Sequence, residues 1–229
     1  MELEKNMQRK VGKVRIDTMM RTMPRYPSPP IIPDPGKWYK EPCIVAIGPY
    51  HHGLDHLEQA EEMKHVAAYH CIEESGRPVE DLYGAVISAV GTTYDPHLYR
   101  CKDAGLSDDD FIPMMFFDAC FLVHCMVWYT DRSGKMDVSL SKFFEHNYNG
   151  IRHDMMLLDN QLPYGVVEAV LNLRVVPFDL KKFIALWKDS LQDRKLVMEE
   201  VPAVELVEDD ESRQHLLGLL RFYIVGTTK

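Results

Sequence analysis

Apolar side chains recur at helical spacing along much of the chain. In residues 79–94 they fall at i, i+3, i+4, i+7, i+8, i+11 and i+15, the clearest such pattern in the sequence. Shorter runs of the same kind cover residues 57–71, 180–191 and 216–225. This spacing gathers the apolar side chains on one face of a helix. Each run is therefore predicted to be a helix that packs one face against a core.

The most apolar stretch, residues 111–129, is predicted to be a buried core helix. It is 19 residues long and carries Asp118 near its centre and His124 further on. A carboxylate at the middle of a bilayer costs several kcal/mol, which disfavours a membrane span. The acidic run Asp108, Asp109 and Asp110 precedes the stretch and is predicted to cap its N-terminus.

The N-terminal part of the chain divides into two predicted segments. Residues 1–23 show apolar side chains at helical spacing and are predicted to form a basic amphipathic helix. Residues 24–37 are rich in proline and are predicted to be an extended linker. The helix offers a contact with a partner protein or a membrane surface, and a solvated surface helix is the alternative. Its contact residues would be Lys5, Arg9, Lys10 and Lys13.

Residues 38–229 are predicted to form one compact helical domain. The fold class is mainly α with at most a few short strands. The one extended candidate is the apolar run at residues 42–49, which ends in Gly48 and Pro49. Pro163 and Asp179 are predicted to mark the starts of two further helices.

Charge and cysteine content narrow the class of protein. The formal net charge is −9 and the pI about 5.6, which argues against binding to nucleic acid. Five cysteines, an odd number without a dense framework, favour reduced thiols in a cytoplasmic protein. No signal peptide is readable at the N-terminus. We expect a cytoplasmic location, with peripheral association at the plasma membrane or a nuclear location as alternatives.

Catalytic and metal-binding patterns are weak. The phosphate-binding, nucleophile-elbow and kinase motifs are absent from the sequence. His52 and His56 are four residues apart, but Gly53 replaces the glutamate of a zinc-protease motif. These histidines are predicted to bond backbone carbonyls around a turn. Cys120, His124 and Cys125 lie in the apolar stretch and are predicted to be core residues. We expect no catalytic residue, cofactor or metal.

Residues 154–163 place four polar side chains among large apolar ones, just before a predicted helix. One hypothesis is that Asp159, Asn160 or Gln161 caps that helix and bonds neighbouring backbone. The alternative is a contact with a ligand or partner. The four residues are Asp154, Asp159, Asn160 and Gln161.

Several segments resemble the plant-specific DUF247 family, also called UPF0481. They are PCIVAIGPYHHG at 42–53, EEMK at 61–64, FDACFL at 117–122, DMMLLDNQLP at 154–163 and HLLGLL at 215–220. The resemblance covers roughly residues 38–225 and adds His51, His52 and Asp118 to the candidate binding residues. Where the family usually has Leu-Glu-Asn-Gln, this chain has Asp159 in place of the glutamate, which shortens the reach of the carboxylate.

The resemblance implies a function only in outline. Family members are typically longer and many end in a membrane-spanning helix, so we expect this chain to correspond to the N-terminal half without that span. No catalytic residue is established for the family, so the resemblance implies none in this chain. Some grass members are associated with self-incompatibility and others with hybrid sterility.

Three hypotheses for the function follow. The first is a non-enzymatic module that recognises another protein, in plant reproduction. The second is an enzyme of unassigned class whose polar cleft is built from His51, His52 and residues 154–161. The third is a truncated regulator that binds longer members of the family.

Overall fold

The computed structural model of the chain describes residues 41–93, 108–131, 133–191 and 215–225. The predicted basic helix at residues 1–23 and the linker at 24–37 lie outside the described residues. The predicted contact residues Lys5, Arg9, Lys10 and Lys13 lie there as well.

The described residues form seven α-helices and no β-strand, which confirms the mainly α prediction. Two short 3-10 turns, Pro49–His51 and Asp55–Leu57, precede the first helix. Pro163 and His215 form an isolated antiparallel bridge. The helices are α1 (Glu58–Ser75), α2 (Val79–Thr93), α3 (Asp108–Thr130), α4 (Val138–Asp154), α5 (Tyr164–Leu171), α6 (Leu180–Leu191) and α7 (Leu216–Val225).

Helix α3 is the central element of the fold. It contacts α1, α2, α4, α5 and α6, while α2 also packs on α5 and α6 packs on α7. By length and composition, its residues Asp110–Thr130 could cross a membrane. In the fold, however, 78% of its most apolar window is buried against the other helices. The prediction of a buried core helix is confirmed.

Of three predicted helix starts, two differ from the structure in detail and one is confirmed. Helix α3 begins at Asp108, so the acidic run forms its first turn instead of preceding it. Pro163 is the N-cap of α5, which begins one residue later than predicted. Asp179 caps α6 as predicted, because its Oδ1 accepts a 2.9 Å hydrogen bond from the backbone N–H of Lys182.

Helix α4 was not among the predicted elements. Asp137 caps it by accepting hydrogen bonds from the backbone N–H groups of Ser139 and Leu140. Its buried side chains fall at helical spacing: Leu140, Phe143, Phe144, Asn147, Ile151 and Asp154. Polar residues between them dilute the pattern, and two of the buried side chains are themselves polar. Helix α4 matters for the candidate site because it ends at Asp154.

Candidate functional site

Residues 43–48, here called the tethered segment, form neither helix nor strand and lie against the helical bundle. Their backbone groups bond to side chains from α3, from α4 and from the turn that precedes α5. These side chains supply the hydrogen-bond partners that a helix or a neighbouring strand would otherwise give to the backbone. Gly150 lets α4 approach closely, since a Cβ there would lie 2.3 Å from Ile44 Cγ1.

Asp154 holds the first half of the tethered segment. Its fully buried carboxylate accepts hydrogen bonds from the backbone N–H groups of Cys43, Ile44 and Val45, at 3.0, 2.7 and 2.9 Å. The Cys43 thiol also donates to Asp154 Oδ1, at 3.4 Å. A buried carboxylate is costly unless donors surround it. The backbone of the segment supplies those donors.

Asn160 pairs with the second half of the segment as an adjacent strand would. Its Oδ1 accepts from the backbone N–H of Ile47 at 2.6 Å, and its Nδ2 donates to the carbonyl of Val45 at 3.0 Å. The same Nδ2 donates to the carbonyl of Asp154, also at 3.0 Å. Both hydrogens of the amide group are therefore used inside the protein.

Gln161 fastens the turn that follows α4. Its Nε2 donates to the carbonyls of Met155 and Leu157, each at 2.8 Å, and its Oε1 accepts from Leu217 N–H at 3.3 Å. The backbone carbonyl of Gln161 lies against Gly48, where an added Cβ would be 2.4 Å from the oxygen. Gly48 also has φ of 80°, in the region that favours glycine. The close approach and the φ angle both require glycine at position 48.

Asp118 secures the end of the tethered segment and neutralises a buried lysine. Its Oδ2 accepts from Gly48 N–H at 2.7 Å, and its Oδ1 lies 2.6 Å from Lys64 Nζ. Glu61 is a second partner of Lys64, at 2.6 Å.

Burial and charge act in opposite directions on the pKa values of this ion pair. Burial raises the pKa of Asp118 to about 6, although Lys64 acts to lower it. Burial acts to lower the pKa of Lys64, but the charges of Asp118 and Glu61 outweigh it, so that pKa is raised.

The other predicted residues lie at the surface. His52 and Asp159 are exposed, and Leu158 is 78% exposed. His51 is partly buried, and burial lowers its pKa against the opposing charge of Asp159. Residues 50–52 follow the tethered segment after Pro49, and residues 158–159 directly precede Asn160. We call the solvent-facing side of these residues the motif surface: Tyr50, His51, His52, Leu158 and Asp159.

The structure thus divides the predicted site residues into two groups. Asp118, Asp154, Asn160 and Gln161 converge inside the protein around residues 43–48, whereas His51, His52 and Asp159 lie on the outside. The hypothesis that polar residues of the 154–163 segment cap the next helix is wrong, because the N-cap of α5 is Pro163 without any side-chain bond. Their predicted bonding to neighbouring backbone is confirmed for Asn160 and Gln161.

The sequence patterns predict no role for Lys64 or Gly48 in the site. The position of Lys64 is nevertheless informative, because Lys64 follows Ala60 by four residues on the apolar face of α1. A lysine on a buried face requires an anion beside it. The anion itself, Asp118, is 54 positions away in the sequence (118 minus 64). Gly48 carried no local signal beyond the Gly-Pro pair that ends the extended run.

Histidines and cysteines of the described residues have mixed roles. His56 Nε2 bonds the carbonyl of Pro42 at 3.1 Å, as predicted for a histidine at a turn. Cys120, His124 and Cys125 are buried on α3, which confirms them as core residues, and burial raises the pKa of the Cys120 thiol. In the described part of the chain, one group has the composition and spacing of a metal site: Cys43, His153 and Asp154.

Comparison with known proteins places these motifs in a family. A relative from Arabidopsis thaliana, named as a UPF0481 protein, is 28% identical over 137 residues. This match covers 58% of the present chain and 28% of the relative's length. No solved structure matches the chain. The family model for DUF247, described as a plant protein of unknown function, matches residues 28–229, which include the whole site. The chain therefore belongs to the DUF247 family of plant proteins.

Proposed function

We propose that this chain is a non-enzymatic recognition module that binds another protein through the motif surface. The observation that carries the proposal is the contrast in burial between residues 158–159 and residues 160–161. Asn160 and Gln161 are buried and hold the fold, whereas Leu158 and Asp159 directly before them face solvent. A large apolar side chain that is 78% exposed beside a rigid buried network suits contact with a partner.

The hydrogen bonds of the buried group argue against the enzyme hypothesis. A catalytic cleft needs polar groups that are open to substrate. Asp118, Asp154, Asn160 and Gln161 instead bond groups of the chain itself. A small cavity in the described part of the fold lies between α3, α4 and α6 and contains none of these residues. Aromatic side chains dominate its lining: Trp128, Tyr129, Phe144, Tyr148 and Trp187.

We propose recognition in plant reproduction as the setting, on the basis of the resemblance to grass members associated with self-incompatibility and hybrid sterility. The partner is a protein, and a longer family member is the second candidate. The Arabidopsis relative, of whose length the match covers 28%, is an example of such a longer member. The proposed location is cytoplasmic or peripheral at the plasma membrane.

The test compares two matched surface substitutions in the full chain. Leu158→Asp alters the motif surface, and Val176→Asp alters an exposed apolar residue in the loop between α5 and α6, which is 67% exposed. Tagged chains are purified from plant reproductive tissue, and co-purifying proteins are quantified by mass spectrometry. A third variant reverses the charges of Lys5, Arg9, Lys10 and Lys13.

The expected result is a reproducible partner that Leu158→Asp loses and Val176→Asp retains. Loss in the charge-reversed variant would place a further contact on the N-terminal segment. The proposal is overturned if no partner exceeds background, or if Leu158→Asp retains the partner as well as Val176→Asp does.

A further inference from the structure

We propose that Cys43, His153 and Asp154 form a binding site for Zn²⁺. Cys43 Sγ lies 3.4 Å and His153 Nδ1 lies 2.9 Å from Asp154 Oδ1. All three ligand atoms lie within 4.8 Å of one another. A thiolate, an imidazole and a carboxylate are the three ligand types that zinc uses in proteins. No local sequence motif marks this group, because Cys43 is more than a hundred positions from the other two residues.

The two separations that involve Asp154 Oδ1 are close to those of a tetrahedral zinc site. Zinc–ligand bonds of about 2.0 to 2.3 Å place sulfur and oxygen about 3.6 Å apart, and nitrogen and oxygen about 3.4 Å apart. The observed separations of 3.4 and 2.9 Å are shorter by about 0.2 and 0.5 Å. A small rotation of the partly exposed His153 ring would provide most of this difference.

Backbone hydrogen bonds hold the carboxylate in place for a metal. Asp154 Oδ2 accepts from the N–H groups of Ile44 and Val45, while Oδ1 is turned toward Cys43 and His153. Oδ1 accepts one backbone bond, from Cys43 N–H, which leaves a lone pair for zinc. Partners of this kind fix the orientation of ligands in metal sites.

The site is accessible from one side. The His153 side chain is 18% exposed and Cys43 is partly exposed, whereas Asp154 is buried. Three protein ligands leave a fourth position that water would fill. On binding, the Cys43 thiol transfers its proton to solvent and its sulfur forms the bond to zinc. The hydrogen on His153 Nδ1 is exchanged through solvent for one on Nε2, which frees the Nδ1 lone pair for the metal, and no oxidation state changes. Zinc would then join the tethered segment to the end of α4.

The test measures zinc binding by the full chain after dialysis against a chelator. Zinc uptake is followed by competition with a chromophoric chelator, and Co²⁺ is used as a spectroscopic substitute. The ligand variants are Cys43→Ser and His153→Gln. The controls are His146→Gln, an exposed histidine on the same helix, and Cys101→Ser. Circular dichroism of the zinc-free variants shows whether each one folds.

We expect one zinc per wild-type chain, a thiolate-to-cobalt charge-transfer band, and normal binding by both controls. Each ligand variant should weaken binding on the order of a hundredfold while keeping its helical content. The proposal is overturned if the wild-type chain takes up no zinc, or if the cobalt complex lacks the thiolate band. Binding by His153→Gln or Cys43→Ser that equals the wild type overturns it as well.

Discussion

Lys64 Nζ lies 2.6 Å from Asp118 Oδ1 in the core, and each side chain is 1% exposed. The lysine belongs to α1 and the aspartate to α3. Asp118 also accepts the backbone N–H of Gly48, so one ion pair joins two helices and the tethered segment. Removing one partner of such a pair leaves an uncompensated charge in the core.

Lys64→Met is therefore expected to lower the free energy of unfolding by about 3 kcal/mol, as measured by urea denaturation. Asp118→Asn should also be destabilising, because Lys64 then depends on the partly exposed Glu61 alone. The double variant should lower the free energy of unfolding by less than the two single variants do in sum, because it removes both charges of the pair together. Additive costs would show that the two charges are not coupled.

Asp154→Asn is expected to lower the free energy of unfolding by about 3 kcal/mol or more. The carboxylate that accepts three backbone N–H groups is lost. The NH₂ of the new amide would face backbone N–H groups, and two donors cannot form a hydrogen bond with each other. Asp159→Asn is the matched control, five positions away and exposed, and it should change stability by less than about 0.5 kcal/mol. Thermal or urea unfolding of the two variants gives the comparison, and equal stability would contradict this account of Asp154.

Gly48→Ala and Gly53→Ala separate a steric clash from backbone strain. Both glycines have φ near 80°, and an alanine in that region costs roughly 1–2 kcal/mol. Only at Gly48 does the added Cβ meet an atom, the Gln161 carbonyl oxygen at 2.4 Å; at Gly53 nothing lies within 4 Å. Gly48→Ala should therefore be clearly the more destabilising change in urea denaturation. Equal losses would mean that the contact with Gln161 relaxes freely.

The cap of α4 predicts a dependence of stability on pH. The pKa of Asp137 is lowered to about 2, mainly by a hydrogen bond from His70. The backbone N–H groups of Leu140 and Ser139 lower it further, whereas burial acts to raise it. The unfolded chain binds this proton more tightly, with a pKa near 3.8. The stabilisation is therefore complete above about pH 4 and is lost as the pH falls toward 2.

Asp137→Ala tests this dependence. At neutral pH the variant should lose about 1 kcal/mol, the usual value of an N-cap. The difference in free energy of unfolding between the variant and the wild type should shrink as the pH falls from about 4 to about 2. Urea denaturation at a series of pH values measures this difference. A difference that stays constant over this range would exclude the Asp137 carboxylate as its source.

The helices could largely be predicted from the sequence, because their apolar faces repeat at helical spacing. Helix α4 was the exception, since Asn147 and Asp154 occupy buried positions that a hydrophobic pattern does not count. For the candidate site, the residue types were recognised but their role was not. Asp154 and Asn160 bond backbone atoms more than a hundred positions away, and contacts between side chain and backbone leave no periodic trace in a sequence.

The tethered segment also determines where the helical domain can be cut. A fragment that began at α1 would contain every helix of the described bundle but would lack the backbone donors of residues 43–48. Asp154, Asn160 and the Asp118 oxygen that binds Gly48 would then lose those partners, and the apolar surface under the segment would be uncovered. The smallest part of the chain that can fold by itself must therefore begin before Cys43, although the residues that it adds form no helix until the 3-10 turn at Pro49.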